Sequence, residues 1–240
     1  TLTLDQVLAS LPPVGVAGSI NILKLVPPKL QMLLRDPEKV LLPRGEWPKR
    51  LSKAKMFIQP SDWPLLAKEL LDRNICKPLP KTELIYHNGE PLLNGISGIG
   101  KNKFVKDRHG KDVEVQRLII NLVPSNEIQV DIVADVATLP HFAQWNGVEL
   151  LDDETFIWAS EDISCAFYIF QLPESWLLYF TLDWPVRACD VGMAGEDEFH
   201  LAFCSLPMGW KSAVGICQCA IRSFVNRPEY GSAGLPLQAE

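Results

Sequence analysis

Residues 206–218 read LPMGWKSAVGICQ. The segment sets Pro207, Gly209 and Trp210 directly ahead of an apolar run with helical spacing. Pro fixes φ and removes a backbone donor, and Gly opens conformations that other residues avoid. Residues 206–210 therefore predict a tight turn. The following stretch, WKSAVGICQCAIRSFV, predicts a helix with Ser212 near its start. Packing alone does not require a turn, an exposed-looking Trp and a Lys in that order. The reading of this chain hinges on what the turn holds and on what stands opposite it.

Working outward, EFHLAFCSL (198–206) and WLLYFTLDW (176–184) read as an antiparallel strand pair leading into the turn. ETFIWASEDISCAFYIF (154–170) is apolar and β-prone, with Glu161 and Asp162 in its middle, and predicts a strand. An unpaired ionised carboxylate is costly to bury. An acid in such a run either faces a cleft and meets a cation, or sits where the strand has ended and both acids are solvated. On a strand the two acids would point to opposite faces. DVATLPHFAQWN (135–146) predicts a helix or turn. KFVKDR and VEVQRLIINLV, joined at HGKD, predict a β-hairpin whose tip carries Lys106, Arg108 and Lys111. Lys106 and Arg117 on that hairpin suit phosphate binding, although an ordinary charged hairpin carries the same residues.

Further upstream, SDWPLLAKELLDRNI (61–75) predicts a helix capped by Ser61 or Asp62, with Pro64 in its first turn. Leu65, Leu66, Leu70 and Leu71 are its predicted apolar stripe. CKPLPKTE breaks the chain after it, and GEPLLNGISGIGKNK reads as a Gly-rich loop. Within that loop Gly95–Lys101 fits G-x-x-x-x-G-K. Asn102 stands where a magnesium-binding Ser or Thr is needed, and a strand pattern follows in place of a helix. A mobile approach to the hairpin is the better reading than a P-loop. Mixed strands and helices without βαβ alternation predict an α+β fold.

The chain has 240 residues and is 47% hydrophobic, which supports a sizeable core. Its net charge of -6 hides an asymmetry: residues 1–126 carry +7, residues 127–200 carry -14 and residues 201–240 carry +1. The basic part can hold phosphates and the acidic part cations, or both can be solvated faces. Residues 24–55 alone hold 9 basic and 3 acidic residues. Six cysteines lack paired spacing, which favours free thiols and an intracellular setting, cytoplasmic or nuclear. Cys217 and Cys219 read as buried thiols in preference to a zinc site. No apolar run reaches 18 residues, so no membrane span or membrane partner is expected, and residues 1–15 lack signal-peptide character.

Three stretches in order resemble the fingers and palm of reverse transcriptases, the RNA-directed DNA polymerases of retroelements. RLIINLVPSN (117–126) is similar to R-x-x-x-D-x-R-x-x-N. DISCAFY (162–168) is similar to the first catalytic-aspartate motif, D-x-x-x-A-[YF]. LPMGWKSAVGICQ is similar to L-P-[QF]-G-[WL]-x-x-[SA]-[PA]-x-x-F-Q. The resemblance implies a polymerase right-hand fragment with an antiparallel sheet, in which residues 1–80 are a basic, partly helical extension. Residues 81–220 would be fingers and partial palm, and residues 221–240 a disordered tail.

It further implies that Asp162 is catalytic and, with the carbonyl of Ile163, binds magnesium. Lys106 and Arg117 would hold the triphosphate, and Phe167 would gate the sugar. Met208 and Gly209 would line the nucleotide pocket, and Trp210 and Lys211 would support the template. The partners would be an RNA or DNA template-primer and deoxynucleoside triphosphates.

The chain departs from the pattern at Asn121, where Asp is usual, at Pro124-Ser125, and at Met208, where Gln is common. No [YF]-x-D-D follows Gln218 in the remaining 22 residues. The expectation is therefore a piece truncated before the second aspartate motif and missing the C-terminal polymerase regions. Magnesium binding should be weak or absent, and the chain inactive as it stands. The alternatives are a nucleic-acid-binding module derived from a retroelement, using the basic residues 24–126, and a P-loop-like NTPase built on Gly95–Lys101.

Overall fold

The computed structural model describes residues 1–106, 109–139, 146–155 and 162–226. In chain order the helices and strands begin with α1 (Leu4–Leu8), β1 (Ile20–Asn21), α2 (Pro28–Arg35), α3 (Trp63–Asp72) and β2 (Cys76–Pro80). β3 (Tyr86–His87), β4 (Glu90–Pro91), β5 (Gly95–Lys106), β6 (Asp112–Asn121) and α4 (Val123–Glu127) follow. The last are α5 (Ala166–Ile169), β7 (Phe170–Gln171), β8 (Val186–Arg187), β9 (Glu198–Phe203) and α6 (Ala213–Val225). The class is mixed α+β, with small, mostly antiparallel sheets and a few helices.

α3 forms where its sequence places it, with Pro64 in the first turn. Its buried stripe is Trp63, Leu66, Ala67 and Leu70, while Leu65 is exposed and Leu71 only partly buried. Trp63 leads the inward face because its indole Nε1 donates to the Pro185 carbonyl at 3.1 Å. Asp62 occupies the N-cap position without a side-chain capping bond.

CKPLP does not break the chain. It forms β2, which pairs with β9 from Cys76↔Phe203 to Pro80↔Phe199. Pro78 and Pro80 are tolerated because β2 is an edge strand in the order β2-β9-β8, so one side needs no donors. β9 is the central strand, and Phe199–Phe203 are all buried. The predicted pairing of 176–184 with β9 holds only in part. Phe180–Leu182 bonds β9 (Leu182 N to Leu201 O, 2.8 Å), but Glu174–Tyr179 winds into a 3-10 helix.

β5 and β6 make the expected hairpin, but it is longer than the sequence suggested. GISGIGK is the first half of β5 and not a loop, and no helix follows it, so the geometry of a P-loop is absent. The glycines serve close packing. A Cβ on Gly95 would sit 2.2 Å from the Lys55 carbonyl oxygen, and one on Gly100 would meet the Glu114 carboxylate at 2.5 Å.

The expected strand over 154–170 is also corrected within the described residues. Residues 162–165 are irregular, α5 is a single helical turn, and only Phe170–Gln171 is extended. Cys165 at φ 58° turns the backbone, and β1 offers just Ile20 and Asn21 as a parallel partner, too short an edge for a long strand. Of the predicted 135–146 helix or turn, Asp135–Thr138 is a 3-10 turn. Residues 140–145, Arg108, Glu161 and the tail from 227 lie outside the described residues.

One hydrophobic cluster runs from Leu2 to Ala220, so residues 1–80 and 81–220 share a core. At its centre Trp176 is fully buried, with Phe180 stacked at 5.4 Å, Trp210 at 4.6 Å, and its Nε1 bonded to Leu34 O at 2.7 Å. A buried polar knot ties the hairpin base to this core. Asn94 Nδ2 donates to the carbonyls of Tyr179 and Thr181, both at 3.0 Å. Ser125 Oγ contacts Asn94 Oδ1 at 2.9 Å and donates to the Tyr179 carbonyl.

Removing one partner of a buried network leaves the others unsatisfied, at about 1–3 kcal/mol. Asn94→Ala should therefore lower unfolding stability by about 1–2 kcal/mol in urea titration, in the lower part of that range, since Tyr179 O keeps Ser125 Oγ and Thr181 O keeps the backbone N of residue 94. A loss under about 0.5 kcal/mol, the level of a neutral surface change, would contradict the network's role. All six cysteines are free, and burial raises the thiol of Cys204 to about 11. No described helix is long and apolar enough to cross a membrane.

Candidate functional site

The 206–211 turn is held by the segment that ends the hairpin. Leu206 N donates to Phe170 O at 2.9 Å, and Ile120 N donates to Met208 O at 3.0 Å. Gly209 takes φ 122°, and a Cβ there would lie 2.0 Å from the Ile120 carbonyl oxygen. Asn126 reads the turn from both sides of its amide: Nδ2 donates to Gly209 O at 3.0 Å, and Oδ1 accepts from Lys211 N at 3.1 Å. Gln129 completes the clasp. Its Oε1 accepts from Trp210 Nε1 at 2.8 Å, its carbonyl accepts from Lys211 Nζ, and Asp131 pairs with the same ammonium at 3.3 Å. The turn therefore holds β6 and α4 against the core, and Asn126 and Gln129 stand opposite it.

Two sequence expectations change here. Trp210 is 2% exposed and packs against Trp176 and Phe180. An indole so enclosed has no face to offer a template. The apolar residues that enclose it, Trp176 and Phe180, are far away in sequence, so the local pattern around residue 210 did not reveal them. Asp162 is exposed and lies on no strand, so the buried-carboxylate argument for it lapses, as does the argument that a strand sets Glu161 on the opposite face.

Ile163 is also exposed, at 40%. Phe167 lies on α5, half-buried against the core. The next residue, Tyr168, is buried, with its ring 6.2 Å from Phe203. Its hydroxyl has no hydrogen-bond partner among the described residues, and burial pushes its phenol up. Met208 is half-buried, and Gly209 and Lys211 are exposed.

Lys106 and Arg117 are both exposed on the hairpin. Lys106 Nζ pairs with Asp112 Oδ2 at 2.8 Å. The register sets Lys106 opposite Asp112 and Arg117 opposite Ile99. Alternation along β6 therefore separates the two: Asp112 shares a face with Gln116, and Arg117 shares one with Val115. Asn126 and Gln129 are the functional-looking residues that reading the sequence missed. The only local signal was that Asn126 closes the RLIINLVPSN stretch.

Among the described residues, no three His, Cys, Asp or Glu side chains gather to hold a metal. Asp190 is engaged with Arg187 at 2.9 and 3.0 Å. The Asp183 carboxyl is raised by burial, offset in part by His200 and Lys53.

No protein-family model matches the sequence, and no curated protein matches it significantly.

Proposed function

We propose that residues 81–220 are the fingers and partial palm of a retroelement RNA-directed DNA polymerase, and that the 240-residue chain does not extend a primer. The observation that supports this reading is that the first and third stretches that carry the resemblance meet, with the chain just past the second bound beside them. Asn126 and Ile120 of the first bind Gly209, Lys211 and Met208 of the third. Phe170, two residues past DISCAFY, binds Leu206 at the start of the third. Segments drawn from residues 117–218 thus form one assembly around a turn whose Gly cannot be replaced without a clash.

In this reading Arg117 serves the triphosphate, Asp162 with the Ile163 carbonyl serves magnesium, and Phe167 serves sugar discrimination. Met208 and Gly209 line the nucleotide pocket, and Lys211 serves the template side. Inactivity rests on the ligand set. Magnesium keeps most of its waters and binds weakly to a single carboxylate.

The purified chain is expected to add no nucleotide to a primer on RNA or DNA templates, with magnesium or manganese. Templated incorporation above background that Asp162→Asn abolishes would overturn the inactivity and strengthen the polymerase reading. The coding sequence beyond residue 240 tests the ancestry independently: a reading frame without Y-x-D-D counts against it.

A further inference from the structure

Residues 44–57, RGEWPKRLSKAKMF, hold only a 3-10 turn at Arg44–Glu46 and an isolated bridge at Met56, yet the backbone is pinned along its length. Trp47 anchors one end: its Nε1 donates to Leu42 O at 2.8 Å, its ring lies 5.2 Å from His87, and the Arg44 guanidinium sits 4.0 Å over it. Asn88 Nδ2 donates to Lys49 O at 3.0 Å, and Ser52 donates to Glu127 through both N and Oγ. Phe57 N donates to Ile96 O at 2.8 Å, and Met56 bridges Ile96 in parallel.

From residue 53 the strap alternates. Ala54, Met56 and Ile58 are buried, while Lys53, Lys55 and Phe57 are exposed, as are Lys49 and Arg50. Extended chain at about 3.3 Å per residue therefore presents a row of cations ending in an aromatic face, in a backbone that is already ordered. Lys49, Arg50 and Lys55 have no ion-pair partner among the described residues.

The row borders a cavity of about 240 Å³ lined by Ser52, Lys53, Glu90 and Asp183, with Leu51 and Leu93. Lys53 Nζ is 4.0 Å from Glu90 Oε1 and itself 85% exposed, so it stands at the junction of row and cavity. Cations outside and carboxylates inside select against a purely anionic ligand, such as an acidic peptide or an anionic lipid surface, and equally against a simple cation. A polynucleotide supplies both matching groups on each unit: a phosphate for the row, and a base whose exocyclic amino group donates to a carboxylate. Stacking on an exposed ring and entry of a base into a cavity both require unpaired bases.

We infer that residues 49–57 and the adjoining cavity form a binding site for single-stranded nucleic acid. Lys49, Arg50, Lys53 and Lys55 take the phosphates, Phe57 is the stacking face, and Glu90 and Asp183 accept from the amino group of a base. The inference stands on the strap and cavity alone and does not need the polymerase reading.

Fluorescence anisotropy of the 240-residue chain with labelled cytosine and thymine homo-oligonucleotides, single-stranded and in duplex, tests it. Single strands should bind more tightly than duplex, and cytosine more tightly than thymine. The double variant K53E/K55E, exposed positions whose fold circular dichroism checks, should weaken binding about tenfold or more and lower the log–log salt slope by about two. E90Q/D183N should remove the cytosine preference and keep thymine binding.

The inference is overturned if K53E/K55E binds as the parent does, if duplex or anionic vesicles bind more tightly than single strands, or if E90Q/D183N leaves the base preference unchanged. None of these variants touches Asp162, so a negative result here and a failure of the polymerase reading are separately visible.

Discussion

Gly209→Ala is expected to lower folding stability by about 4 kcal/mol or to prevent folding, the range reserved for a few named mechanisms. Two of those mechanisms coincide at this residue. Its φ of 122° is a conformation that L side chains rarely adopt, at a cost of about 1–3 kcal/mol. The added methyl would also lie 2.0 Å from the Ile120 carbonyl oxygen. That oxygen cannot simply yield, because Ile120 N is bonded to Met208 O and Ile120 is registered against Ile96 in the hairpin. Relief would require moving either the turn or the end of β6. Gly45 is the control, since a Cβ there meets open space and its φ is ordinary. Urea unfolding of both variants decides the matter. A Gly209→Ala midpoint within about 0.5 kcal/mol of the parent, the scatter of neutral substitutions, would show that the turn is not clamped in this way.

Trp210→Ala should cost about 3–5 kcal/mol, the range for removing a large buried aromatic. The indole contacts Trp176 and Phe180 with centroids 4.6 and 5.2 Å away, and its Nε1 is the donor to Gln129 Oε1. Deleting it opens a cavity beside the fully buried Trp176 and strands the buried Gln129 amide, whose Nε2 already lacks a partner among the described residues. Trp210→Phe should recover most of the packing and lose the hydrogen bond, a cost of about 1–2 kcal/mol. The opposite pattern, unchanged stability with weakened nucleic-acid binding, would mean that the residue faces a template after all. Because residues 209 and 210 share one turn, the two losses should not add when combined.

Much of the local structure was legible because it depends on residues close in sequence. The turn at 206–210, the helix after Ser212, α3 with Pro64 in its first turn, and the hairpin's β-rich runs are each specified within about four residues of one another, the reach of caps, periods and turn chemistry. Errors arose where a distant partner decides. Pro78 and Pro80 look like breakers until β9 is seen to pair with only one side of β2. GISGIGK looks flexible until Lys55, Gln116 and Glu114 fill the space its missing side chains leave. Residues 162–169 look like strand, but β1 presents only two residues to pair with, and both pair beyond them, with Phe170 and Gln171.

By itself, then, the sequence determined the α+β class, the elements α3 and α6 and the β5–β6 hairpin, the basic and acidic halves, and the three stretches that carry the polymerase resemblance. Periodicity, charge and short motifs act along the chain and need no partner. Only the tertiary structure decided that Trp210 is core and not surface, that Asp162 is solvated, that Asn126 and Gln129 clasp the turn, and that the basic strap borders a carboxylate-lined cavity. Burial and hydrogen-bond pairing at these positions come from residues 30 to 85 positions away, such as Phe180 and Trp176 against Trp210, Gln129 against the same indole, Asn126 against Lys211, and Glu90 against Lys53. A contact of that separation leaves no trace in the local pattern of either partner.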